Sequence, residues 1–197
     1  MIEAHIRPKI QPLFDIIGSI LNQCYVTPNM LTLCAFLCGI SAGIAVVLHY
    51  LYLACILLCI SGLCDILDGS LARLQNNAQP IGAYIDLISD RMVESAFIYG
   101  CAIAYPEHIH AYITFFIALL LHFTTFVAAG ALFKNSGNKS MHYDSCLIER
   151  AEAFACFCAM LLLPNYMFWI LSALNIGISA SAINRFIKIT QKNSSRD

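Results

Sequence analysis

Four aspartates, Asp65, Asp68, Asp86 and Asp90, stand inside stretches that otherwise read as lipid-soluble. An ionised carboxylate at the centre of a bilayer costs roughly 2.5 to 3.5 kcal/mol on insertion scales, so four of them need a compensating purpose. Asp65 and Asp68 are three apart, Asp86 and Asp90 four apart, and each pair therefore shares one helix face. Carboxylates gathered at that spacing repel one another unless positive charge lies between them. Hard divalent cations, Mg2+ or Mn2+, take oxygen ligands and bridge phosphate oxygens. The spacing predicts a site for two such ions acting on a phosphate-bearing substrate.

The residues between the pairs suit that substrate. Gly69 and Gly82 remove side chains where a ligand could approach, Ala72 keeps the same face shallow, and Arg73 offers a planar fork of donors for phosphate. Close packing of membrane helices accounts for the glycines equally well, but leaves the aspartates unexplained. No Ser or Cys is placed with His and Asp as a nucleophilic triad requires.

The elements that carry these residues follow from composition. With 59% hydrophobic residues, 12% charged and a mean hydropathy of +0.72, the chain departs from soluble domains, in which about 25% of residues are charged. It reads as an all-α integral membrane protein. A membrane helix needs about 20 mostly apolar residues, and six stretches qualify: about 30–49, 51–73, 81–104, 109–132, 146–163 and 165–187. At roughly 1.5 Å of rise per residue, Asp65 lies about 12 Å from Arg73, and Asp90 a similar distance beyond Pro80. The two pairs can therefore meet at one depth on antiparallel neighbours.

Lys and Arg collect on the cytoplasmic side of a membrane. All eleven flank one set of links, and the opposite links "HYLY", "YPEHIHAY" and "LLLPNY" contain none. Both termini are expected to be cytoplasmic. Residues 1–23 do not read as a secretory signal; Ile10, Leu13, Phe14, Ile17, Ile20 and Leu21 recur at helical spacing and predict an amphipathic interfacial helix. The expected organisation is this helix, a six-helix domain over 24–190 and a polar tail over 191–197. Thr27 caps and Pro28 opens the first span.

The cysteines inside the spans, among them Cys55, Cys59 and Cys158, read as packing residues. His108 and His110 lack a third ligand and read as exposed loop residues. Arg91 and Glu94 read as an ion pair, and Glu149 and Glu152 as a solvated helix start. A metal or proton carrier would spread acids through the full membrane depth; eleven of the twelve acids fall in the cytoplasmic half, with Glu107 outside.

Asp65-x-x-Asp68-Gly69-x-x-Ala72-Arg73, eight residues, Gly82-x-x-x-Asp86-x-x-x-Asp90 resembles the complete signature of the CDP-alcohol phosphatidyltransferase family, and "TPNMLT" is similar to its PNxLT element. The resemblance implies a dimeric six-helix enzyme that moves a phosphatidyl group from a CDP-linked lipid, usually CDP-diacylglycerol, to an alcohol with release of CMP. It implies that Asp65, Asp68 and Asp86 hold two ions, with Asp90 near the second as general base. Asn29, Thr32, Gly69, Ala72, Arg73 and Gly82 would line the CDP site. Arg150 and Arg185 are the candidate acceptor contacts. "TFVAAGALF" lacks the basic residues many relatives carry, and Cys34 and Ala35 follow Leu33 where glycerol-phosphate enzymes carry an arginine. Inositol or inositol phosphate is the expected acceptor, with glycerol 3-phosphate or an amino alcohol as the alternative. A bacterial inner membrane is the expected location, with membrane lipids and no nucleic acid as partners.

Overall fold

The computed structural model describes residues 2–75, 79–132 and 150–194. Seven α-helices carry them: α1 (Ile2–Gln23), α2 (Pro28–Val47), α3 (Leu51–Leu74), α4 (Pro80–Ala104), α5 (Ile109–Leu132), α6 (Arg150–Leu162) and α7 (Met167–Ser194). Single 3-10 turns, Pro106–His108 and Pro164–Tyr166, precede α5 and α7. No strand occurs among the described residues, as the all-helical expectation requires.

Four segments are long and apolar enough to cross a membrane: Pro28–Val47, Leu51–Leu74, Pro106–Leu132 and Pro164–Gln191. The two remaining expected spans fall short for identifiable reasons. Helix α4 places Asp86, Asp90, Arg91 and Glu94 within its length. Helix α6 has 13 described residues, about 20 Å at the usual helical rise. The expected fifth span began at 146, and residues 146–149, like Lys134 and Lys139, lie outside the described residues.

Local chemistry sets the boundaries. Thr27, in an extended conformation, caps α2 by accepting a hydrogen bond from the Met30 amide at 3.4 Å, and Pro28 occupies the first turn where its missing donor is harmless. At the other end of α2, His49 adopts φ 60°; its amide donates to the Val46 carbonyl and the Tyr50 amide to that of Ala45, both at 2.9 Å. This is a Schellman ending. It reverses the chain directly into α3.

Helices α2 and α4 approach backbone to backbone. A Cβ on Gly43 would lie 2.6 Å from the Ala96 carbonyl oxygen, and one on Gly100 would strike the Gly43 carbonyl. Ser61 of α3 donates to the Ala35 carbonyl of α2 at 2.7 Å, closing a three-helix unit. The apolar core lies toward the end where α2 turns into α3, called here the far end. There the Phe157 ring packs 4.7 Å from Phe97 and 6.0 Å from Phe115, and the buried Tyr112 hydroxyl donates to Met167 Sδ at 3.2 Å. At the opposite, aspartate end, α1 docks on α3: Gln75 donates to Asn22 Oδ1 at 2.9 Å, and Gln11 to Ser70 Oγ at 3.4 Å.

Candidate active site

Helix α3 delivers Asp65 and Asp68 in its last turns, and α4 delivers Asp86 and Asp90 in its second and third. One carboxylate oxygen from each of Asp65, Asp68 and Asp86 lies within 4.8 Å of the others. These carboxylates converge as expected, but α3 and α4 are not the packed neighbours their short link suggests: each packs on α2 instead. Asp68 is buried and accepts a hydrogen bond from the Thr32 hydroxyl of α2 at 2.6 Å. That bond leaves the second Asp68 oxygen for another partner and ties α2 to the cluster.

Arg150, the first residue of α6, reaches into the same group. Its Nη1 pairs with Asp65 and, at 2.5 Å, with Asp90, while its guanidinium lies 5.1 Å from the Phe154 ring centroid. Asp86 Oδ1 is buried without a hydrogen-bond partner. An orphaned buried oxygen, clustered carboxylates and a cation drawn against two of them together fit a donor set made for hard divalent ions.

The glycines divide by purpose. A Cβ at Gly82 would meet nothing within 4 Å, and one at Gly69 only Arg73 Nη1 at 3.5 Å. Helix packing does not demand glycine at either position, in contrast to Gly43 and Gly100. Gly82 instead borders a cleft of about 240 Å³ between α2 and α4, shared with Asn29, Thr32, Phe36, Ser89 and Met92. Asn29, Thr32 and Gly82 thus lie together. Ala72, outside that lining, is half-buried on α3, and Arg73 is exposed, its Nη2 donating to Ser70 Oγ at 3.0 Å.

Arg91 and Glu94 form the expected ion pair at 2.7 Å. Arg185 sits elsewhere: buried on α7, it donates to the His122 carbonyl at 2.9 Å and Thr125 Oγ1 at 3.3 Å, with its guanidinium 5.3 Å from the Phe126 ring. The structure brings Arg150, but not Arg185, into contact with the aspartates. Sequence reasoning missed the Arg150 bridge and the Thr32 to Asp68 bond. A lone arginine opening an apolar Phe and Cys helix was the available signal for the first.

Comparison with known proteins places this arrangement. The family model described as CDP-alcohol phosphatidyltransferase matches residues 25–181. Archaetidylinositol phosphate synthase of Pyrococcus horikoshii is 34% identical over 98 residues, covering 50% of this chain and 52% of the relative. Inner membrane protein YnjF of Escherichia coli is 29% identical over 174 residues, 84% of either chain. The match thus spans about half the length of the first relative. A crystal structure of Mycobacterium tuberculosis phosphatidylinositol phosphate synthase with CDP-DAG bound superposes with a TM-score of 0.65 at 20% identity, covering 91% of each chain.

Proposed function

The chain belongs to the CDP-alcohol phosphatidyltransferase family and is an integral membrane protein, and we propose that it transfers a phosphatidyl group from CDP-diacylglycerol to inositol or inositol phosphate, releasing CMP. The convergence of Asp65, Asp68 and Asp86 beside an open glycine flank is the observation that carries this reading. The names of the archaeal and mycobacterial relatives support the acceptor.

Asp65, Asp68 and Asp86 would hold two ions, Mg2+ or Mn2+, with Asp90 at the edge of the second. Bound there, such ions supply positive charge that makes a pyrophosphate phosphorus electrophilic. The chain's own residues do the rest. Asn29, Thr32, Gly69, Ala72, Arg73 and Gly82 receive the CDP moiety, with the small residues leaving room and Arg73 donating to phosphate. Thr32 holds Asp68 in its ligand orientation. Asp90 takes the proton of the acceptor hydroxyl, because an alcohol is a poor nucleophile until a placed base removes it. The acceptor oxygen then bonds to the lipid-bearing phosphorus as the bond to CMP breaks. Arg150 is the acceptor-side cation in this reading: its bridge to Asp65 and Asp90 keeps a positive group where an acceptor phosphate would otherwise meet only carboxylates, while Arg185 is committed to α5.

In the membrane, α2 to α7 form six spans, α1 lies at the interface, and both termini and the site face the cytoplasm of a bacterial inner membrane. The chain works as a homodimer. The test is CMP release by purified protein with CDP-diacylglycerol and Mg2+ or Mn2+ across inositol, inositol phosphate, glycerol 3-phosphate, serine and ethanolamine. Metal-dependent release with inositol or its phosphate alone is expected. Release driven by another alcohol would overturn the acceptor, and no release with any of them would overturn the activity.

A further inference from the structure

A second group of ligand-type side chains lies away from the aspartates. Cys55 and Cys59 stand four apart on one face of α3, and Cys158 of α6 meets them, all three sulfur atoms falling within 4.8 Å of one another. The helix register explains the meeting. A Cβ at Gly62 of α3 would touch the Phe154 ring of α6 at 3.5 Å, and the helices run antiparallel, so one turn beyond Phe154 brings Cys158 level with the stretch between Cys55 and Cys59. The trio sits roughly 9 to 15 Å along α3 from Asp65.

Packing against the apolar core accounts for Cys55 and Cys158 but not for Cys59. Cys59 is exposed on the flank of the bundle and Cys55 and Cys158 are half-buried, so Cys59 fills no core space. Its sulfur nevertheless lies with the other two. Among the described residues no histidine or carboxylate joins the group. We propose that Cys55, Cys59 and Cys158 form a binding site for a soft monovalent metal ion, Cu(I). Soft sulfur ligands select soft ions, and three donors suit Cu(I), whereas structural zinc sites almost always take four. Each thiol that becomes a ligand thiolate gives up its proton, which must leave the span for the aqueous phase. The ion would tie α3 to α6, the two helices that also carry Asp65 and Arg150.

The experiment is an anaerobic titration of the full-length protein in detergent with Cu(I) buffered by a competing chelator. One tight equivalent per chain is expected. Cys158→Ser should weaken it by at least about 10- to 100-fold, the range already seen when mere outer partners of a metal site are removed. Replacing Cys34 and Cys64, whose sulfurs lie 3.8 Å apart on α2 and α3, should leave it intact. A readout that needs no variant accompanies it: Cu(I) should protect Cys59 of the wild-type protein from alkylation while the exposed Cys24 stays reactive. No tight equivalent, an equivalent that survives Cys158→Ser, or an unprotected Cys59 would overturn the site.

Discussion

Toward the far end of the bundle Phe157 is wedged between Phe97 and Phe115 in a fully buried core, while at the aspartate end Arg150 bridges Asp65 and Asp90 and Asp86 leaves a buried oxygen unpaired. The same helices, α4 and α6, serve both ends. One end maximises contact between side chains, which fixes the helices relative to one another. The other holds like charges near one another and leaves space beside them, which weakens packing but prepares a place for ions and phosphate. The core end should therefore govern stability and the aspartate end turnover.

The largest expected effect is at Asp90. Asp90→Asn removes the proposed base and should lower CMP release by about 10²- to 10⁴-fold, the usual contribution of general base catalysis, with the thermal unfolding temperature held near that of the wild type. A large drop in unfolding temperature would mean that the two ends are not separable. Phe157→Ala should do the reverse, costing about 3 to 5 kcal/mol in a denaturant titration while turnover per folded molecule persists.

Arg150 sharpens the contrast because it neutralises the site without ions. Arg150→Met should destabilise the metal-free protein modestly, by about 1 kcal/mol, because the pair it leaves is only half-buried and so falls between exposed and buried ion pairs. Added Mn2+ should recover most of that loss if ions take over the neutralising role; a metal-independent loss would make Arg150 purely structural. The glycines separate in the same way. Gly43→Ala should destabilise, since its Cβ meets the Ala96 carbonyl, whereas Gly82→Ala should leave unfolding unchanged and raise the KM for CDP-diacylglycerol.

The smallest effect lies at the aspartate end but away from the carboxylates, where α1 stops. Tyr25 closes α1 at φ 60° with 91% of its surface exposed, a left-handed conformation that glycine adopts without strain. Tyr25→Gly should stabilise the protein by roughly 0.5 kcal/mol, seen as a slight rise in denaturant midpoint.

The aspartates were legible because i, i+3 and i, i+4 spacing is a property of one helix; that α3 and α4 meet by packing on α2 rather than on each other was not. The Thr27 and Pro28 start of α2 was legible for the same local reason. What lay beyond reach depended on registers between distant helices. Arg150 is 85 residues from Asp65, and nothing in its neighbourhood records that contact. Arg185 reads as a candidate acceptor contact, yet side-chain packing turns it toward α5. The glycines are alike in sequence, and only the facing backbone distinguishes Gly43 from Gly82. Helix α4 was legible as the stretch 81–104, although Asp86, Asp90, Arg91 and Glu94 keep it outside the segments apolar enough to cross a membrane.

The most direct test of the account is a Mn2+ titration of the purified, metal-stripped protein followed by electron paramagnetic resonance. Two bound ions per chain are predicted, with their resonances broadened by mutual coupling, and Asp86→Asn should abolish at least one of them. A wild-type protein that binds no Mn2+, or an Asp86→Asn variant that binds as the wild type does, would contradict the claim that these aspartates form a binuclear centre.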